Sequence, residues 1–177
     1  VHDRAVLDAL EAIEPQTFAG EVWRIARKGR VPTLGSPASG RWTPGDGTEA
    51  LYTSLEREGA LAEIGYRLSL EPVWPSRLEH QLHRLEAGAE RTLRFADLDA
   101  LAAVGVETAR YASFDYGATQ AISAAAHFLE FDGLIAPSAR HTSLNLVLFM
   151  DRVTPDDIRL VSSEDVDWNA WRSAKPR

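Results

Sequence analysis

Apolar residues recur at helical spacing in some stretches of this chain and at every second position in others, and the two periods mark out its elements. Val6, Leu7, Leu10 and Ile13 predict an amphipathic helix over Asp3–Glu14, ended by Pro15. Glu21–Arg27 reads as a strand, with Val22, Arg24 and Ala26 on one face and Trp23 and Ile25 on the other. From Gly29 to Gly47 the composition turns to Gly, Pro, Ser and Thr, which predicts a long loop of the kind that often carries function. Ala50–Thr53 reads as a second strand. Thr53 and Glu56 match a capping box, so a helix is expected to follow as far as about Leu68, before Pro72 and Pro75 break the chain.

Further along, Leu78–Glu86 fits helix or strand, and Thr92–Phe95 fits a strand. Asp97 caps a short helix through Ala103 that Gly105 closes. Thr119–Glu130 reads as an alanine-rich helix stopped by Gly133. Leu134–Ala136 is a short buried strand, Pro137–Arg140 a turn, and Ser143–Met150 the most strand-like run. Ile158–Ser162 and a helix around Trp168–Arg172 complete the pattern. Helices and strands interleave irregularly, which favours an α+β fold over a doubly wound sheet. The expected core is a small mixed or antiparallel β-sandwich with flanking helices. One domain should span residues 1–177, with a helical extension over 1–18, a core over 21–150, and a closing strand and helix over 151–177.

The 177 residues leave no room for two domains of ordinary size, and a chain this long buries enough surface to need no staples. The absence of cysteine excludes disulfides, thiolate metal sites and thiol catalysis. No apolar run approaches the roughly 20 residues of a membrane span. The start, Val1-His2-Asp3-Arg4, lacks a signal-peptide pattern, so a cytoplasmic location and no membrane are expected. A net charge of -7 argues against direct nucleic-acid binding. Lys28 and Lys175 are the only lysines, so position rather than abundance gives the arginines meaning.

Arg24 is flanked on its own face by apolar residues, an awkward setting unless something anionic meets it. Gly40-Arg41-Trp42 combines a tight turn, a guanidinium suited to phosphate and an aromatic anchor. The plain alternative for both arginines is a surface salt bridge. Tyr52 is either a half-buried strand tyrosine or an aromatic wall for a flat ring. Glu63 lies at the edge of the face made by Leu61, Ile64 and Leu68, beside the small residues Ala60 and Ala62, which leave room for a ligand. Two arginines, a tyrosine and a carboxylate suit a site that grips a diphosphate and attacks a glycosidic bond, which suggests NAD chemistry outside a Rossmann frame.

Ser138 and His141 lack the Gly-x-Ser-x-Gly context of a hydrolase nucleophile. His80 and His83, with Glu79 and Glu86, do not have the His-Glu-x-x-His spacing, and no metal is expected.

The order Arg24, Gly40-Arg41-Trp42, Tyr52, Glu63, Pro137-Ser138 resembles the RES domain family, over about Val22–Met150. Leu134–Arg140 followed by Asn145–Phe149 is similar to that family's closing block. Ser39 stands where a second glycine is common, and the loop after Lys28 is shorter than in many members, departures that bear on loop geometry. The resemblance implies an ADP-ribosyltransferase-like fold and a toxin of a toxin–antitoxin pair. It implies an Xre-type helix-turn-helix antitoxin as partner, and cleavage of NAD as substrate. The acceptor would be water, phosphate or a protein.

It also implies catalytic roles for Glu63, Arg24 and Tyr52, and NAD binding by Arg24, Arg41, Tyr52 and Ser138. Nicotinamide leaves neutral, so one carboxylate can suffice where ordinary glycoside hydrolysis typically uses two. The alternative is a non-catalytic binding module whose arginines anchor an acidic partner. The negative charge would also suit a basic, DNA-binding partner.

Overall fold

The structure, a computed structural model, describes residues 2–174. Helix α1 (Arg4–Glu11) begins where the Asp3 carboxylate accepts the Ala5 N–H at 2.8 Å, and it buries Leu10 completely. Strand β1 (Gln16–Arg27) starts five residues before the apolar alternation shows it, because its first half pairs with β3 (His80–Arg94). Strand β2 (Ala50–Ser54) leads into helix α2 (Arg57–Ser69). Helices α3 (Leu98–Ala103) and α4 (Gly117–Phe128) follow, then β4 (Gly133–Pro137), β5 (Leu144–Phe149), β6 (Ile158–Asp165) and α5 (Trp168–Ala174).

The strands form one sheet in the order β1-β2-β5-β4-β3-β6, and β1 also pairs with β3. That extra pairing rolls the first five strands into a closed barrel, with β6 hydrogen-bonded to β3 outside the ring. The α+β class and the mixed sheet agree with the sequence reading: β3 and β4 run parallel and the other pairs antiparallel. The two-layer sandwich gives way to a closed wall. Strand β3 makes closure possible. At 15 residues it pairs with β1 along one edge, and its other edge serves β6 first and then β4. The sequence reading splits it in two because Ala87-Gly88-Ala89 has weak strand propensity. Those small residues instead let Ala87 and Ala89 sit buried in the barrel.

Val22, Leu51, Leu85, Ile135, Leu146 and Leu148 fill the interior, with contributions from all five barrel strands, and each is at most 1% exposed. Full burial of such a side chain contributes roughly 1.5–3 kcal/mol relative to exposure. Outside, α1, α3 and α4 cover β4 and β5 through Phe95, Leu101, Ile122, Leu134, Val147 and Phe149. Helix α2 and Trp168 of α5 cover β1 and β3 through Ile25, Leu61, Leu68 and Leu82. Both faces of β1 are therefore covered.

Two local readings are corrected. Thr53 is not a helix cap: it lies inside β2, and its hydroxyl donates to the Leu146 carbonyl at 2.9 Å. The helix starts at Arg57 after Glu56, whose N–H donates to Ser54 Oγ at 3.3 Å. Gly133 does not stop α4. The chain leaves that helix at Leu129 and reverses at Glu130, which takes φ 62°, while Gly133 is the first residue of β4. A Cβ there would lie 2.2 Å from the Val147 carbonyl oxygen, so Gly133 is required by the close approach of β5.

Candidate active site

Strands β4 and β5 pair so that Ala136 faces Asn145, and β2 and β5 so that Ser54 faces Asn145 and Tyr52 faces Val147. Alternation then puts Tyr52, Ser54 and Asn145 on the outer face of the barrel wall, the face that helices cover. The first turns of α2 lie flush against this wall because Gly59 has no side chain. A Cβ on it would meet the Ser54 and Ser143 hydroxyls at 2.3 and 2.2 Å. One turn further on, Glu63 reaches over the ends of β4 and β5.

There the Ser138 hydroxyl donates to Glu63 Oε1 at 2.5 Å, and Asn145 Nδ2 donates to the same oxygen at 3.1 Å. Ser138 Oγ in turn accepts the Arg140 and His141 N–H groups at 3.1 and 3.2 Å, which directs its single proton to the carboxylate. Glu63 Oε2 has no protein donor among the described residues. The Asn145 Oδ1 is buried without a partner, an unmet acceptor beside the carboxylate.

Tyr111 closes one side. Its hydroxyl donates to the Pro137 carbonyl at 2.6 Å, next to Ser138. Burial pushes its phenol well above the usual range, with the Arg41 charge opposing and the Glu63 charge adding to the shift, so both charges act on this ring. The Arg41 guanidinium lies 4.6 Å over the Tyr111 ring and 4.9 Å over Tyr116, and donates to the Tyr111 and Ser113 carbonyls. Trp42 anchors this loop in the core, stacked on Phe95 with a 6.4 Å centroid separation. Ser123 Oγ and Gln120 Nε2 of α4 donate to the Trp42 and Gly40 carbonyls at 2.6 and 2.9 Å.

Tyr52 joins the same loop. Its hydroxyl accepts the Trp42 N–H at 2.9 Å and bonds Thr43 Oγ1 at 2.6 Å, and burial raises its phenol pKa. Gly40 is needed beneath it, since a Cβ would come within 3.0 Å of that hydroxyl. Tyr52 is thus held by its hydroxyl and packs, partly buried, against the core.

Arg24 is placed differently. It shares its strand face with Val22, on the interior side, and donates to the Tyr52 and Leu34 carbonyls at 3.2 and 3.3 Å. Its Nε is buried without a partner, and burial lowers its pKa. No bond joins it to Glu63 among the described residues. The structure therefore brings Glu63 and Ser138 into contact, ties Arg41 and Tyr52 to them through the Tyr111 side and the Trp42 loop, and sets Arg24 behind the wall.

Asn145 and Tyr111 are the residues that sequence reasoning passed over as site members. An amide interrupting the apolar run Leu144–Phe149 was the available signal for Asn145. Tyr111 sits in an irregular segment without one. His80 and His83, three apart on β3, face opposite ways: His80 Nδ1 accepts the Trp168 Nε1–H at 3.1 Å, and His83 Nδ1 bonds Ser163 Oγ at 2.7 Å. Clefts of about 280, 310 and 380 Å³ open beside His80, His127 and Tyr66, and Glu63 lines none of them.

The fold is a mixed α+β barrel domain that carries a hydrogen-bonded cluster around Glu63. The RES domain model matches residues 21–169, and the chain belongs to that family. The match passes the Val22–Met150 stretch that carries the resemblance and takes in β6. The NAD(+) phosphorylase MbcT of Mycobacterium tuberculosis is 26% identical over 136 residues, covering 72% of this chain and 70% of MbcT. MbcT of Mycobacterium bovis matches to the same extent. The crystal structure of the M. tuberculosis MbcT–MbcA toxin–antitoxin complex contains a chain that superposes with a TM-score of 0.85, over 97% of both chains at 21% identity. That likeness is one of fold.

Proposed function

We propose that this chain is the toxin of a toxin–antitoxin pair and cleaves the nicotinamide–ribose bond of NAD. The observation that carries the reading is the state of Glu63: one oxygen is fixed by Ser138 and Asn145, and the other has no protein donor among the described residues, beside the unmet Asn145 carbonyl. A carboxylate held this way can accept a ribose hydroxyl through Oε2 and oppose the positive charge that develops on the sugar. The C–N bond breaks with its electron pair going to the ring nitrogen, so nicotinamide leaves neutral and no general acid is required.

An acceptor oxygen then forms the new bond to the ribose carbon. Phosphate is the favoured acceptor, because the relative MbcT is named an NAD(+) phosphorylase, and the product would be a phosphorylated ADP-ribose. Water or a protein side chain are the other acceptors. Arg41 and Tyr52 shape the ring-binding side through Tyr111 and the Trp42 loop, and Arg24 holds the Leu34 loop against β2. The same reading takes the barrel as ADP-ribosyltransferase-like and the protein as cytoplasmic, with an Xre-type helix-turn-helix antitoxin as its partner.

The test is nicotinamide release from NAD by the purified protein, followed by NMR with and without phosphate, with Glu63→Gln as control. Phosphate-dependent release that the variant lacks is the expected result. Equal release by both proteins removes Glu63 from the chemistry. No release under either condition, and no label transferred from NAD to protein in a lysate, overturns the enzyme reading.

A further inference from the structure

Arg24 and Arg41 each turn terminal N–H donors onto backbone carbonyls, Arg24 onto those of Tyr52 and Leu34 and Arg41 onto those of Tyr111 and Ser113. Arg140 is different. Its guanidinium lies 3.7 Å over the Tyr66 ring, with Phe114 on another side at 5.6 Å. Among the described residues, no carboxylate or carbonyl accepts from its side chain. A guanidinium stacked by its face keeps the N–H donors of its edge directed outward, the geometry that takes a phosphate through paired bonds.

Its position follows from the same two segments that build the cluster. Tyr66 is three residues after Glu63, one turn along α2 and on the same side. Arg140 is two residues after Ser138, and its N–H donates to Ser138 Oγ. The Glu63–Ser138 hydrogen bond and the Tyr66–Arg140 stack are therefore successive rungs between α2 and the turn after β4. In a chain of net charge -7, this places an uncommitted cation one rung from the reacting carboxylate.

We infer that Arg140, stacked on Tyr66, is a phosphoryl-binding subsite beside Glu63. The inference rests on the NAD reading for the identity of the phosphoryl group, which belongs either to the dinucleotide diphosphate or to an acceptor phosphate. The stack limits the rotamers of the guanidinium before the anion arrives, so less freedom is lost on binding.

The test is calorimetric titration of inorganic phosphate and, separately, ADP-ribose into the unmodified protein and into Arg140→Ala, Arg140→Gln and Arg140→Lys, each checked by thermal unfolding. Arg140→Gln keeps the length of the chain and decides the matter if Arg140→Ala does not fold. The expected result is a loss of affinity of tenfold or more for at least one ligand in the Ala and Gln variants, partly recovered in Arg140→Lys. Weakened ADP-ribose binding assigns the subsite to the diphosphate, and weakened phosphate binding assigns it to the acceptor. Affinities within twofold of the unmodified protein for both ligands overturn the inference, as does a failure of the unmodified protein to bind either. Nicotinamide release is measured separately, so a protein that binds these anions without cleaving NAD keeps the subsite and loses the proposed reaction.

Discussion

Ser138 donates its hydroxyl proton to Glu63 at 2.5 Å across 75 positions of the chain, and two N–H groups of its own turn fix the direction of that proton. The carboxylate is thus oriented by the turn after β4 together with Asn145 of β5, not by its own helix.

Replacement of Glu63 by Gln keeps a group able to accept from Ser138 and removes the charge. Turnover is expected to fall by about 10²–10³ or more, the range for one well-placed electrostatic group. Binding of ADP-ribose should stay within a few-fold. Rate from nicotinamide release and affinity from calorimetry separate the two; a parallel loss of both would mean that Glu63 serves binding instead.

Ser138→Ala leaves Glu63 charged but without its shortest restraint, and frees the Arg140 and His141 N–H groups. The expected outcome is a fall in kcat of about 10- to 100-fold, since mispositioning of a catalytic group costs on this scale. A kcat within twofold of the unmodified protein would show that Asn145 alone holds the carboxylate.

Tyr52→Phe separates the two roles open to this residue. The ring is kept, but the buried Trp42 N–H loses its acceptor and Thr43 its partner. A buried donor left unpaired costs about 1–3 kcal/mol, so the unfolding free energy should drop by that amount and the KM for NAD should rise. Unchanged stability and KM would leave only the ring to matter.

Gly133→Ala introduces a methyl 2.2 Å from the Val147 carbonyl oxygen and 3.0 Å from the Leu148 Cα, and backbone atoms cannot step aside as a side chain can. Destabilisation of about 1–3 kcal/mol or more is expected from such overpacking. Denaturant unfolding reads it directly, and an unchanged midpoint would contradict the close approach of β4 and β5.

Acid should loosen the β3–β6–α5 side of the molecule. Burial, reinforced by the Arg27 and Arg24 charges respectively, lowers the pKa of His80 and His83 below the ordinary 6.5. The unfolded chain therefore binds protons before the folded one does. The stability these neutral rings contribute is complete above pH 6.5 and is lost as pH falls through the lower folded values. His80 Nδ1 must stay unprotonated to accept from Trp168. Thermal unfolding should show a midpoint that declines below pH 6.5, with a shallower decline in His83→Gln. Identical slopes in the two proteins would refute the assignment.

Part of the candidate cluster was legible in the sequence. The Gly40-Arg41-Trp42 turn, the Glu63 helix and the Ser138 turn each carry local signals, and all three bear on the cluster. Arg24 was legible as a buried charge but not as one answered by carbonyls, because alternation names a face and not the groups opposite it. Asn145 reads as one polar residue in an apolar run until β4, β5 and α2 are assembled around it.

Local rules determined the helices, the cap at Asp97, the loop after Lys28 and most strand positions, since these depend on spacing and on neighbours a few residues away. Closure of the barrel was decided only in three dimensions. It depends on β3 continuing through Ala87-Gly88-Ala89, a stretch of weak strand propensity that the pairing with β1 holds extended and the barrel interior buries. The same holds for the carboxylate. The sequence placed Glu63 on a helix edge, but its state is set by Ser138 and Asn145, which arrive from chain 75 and 82 residues away once the wall has formed.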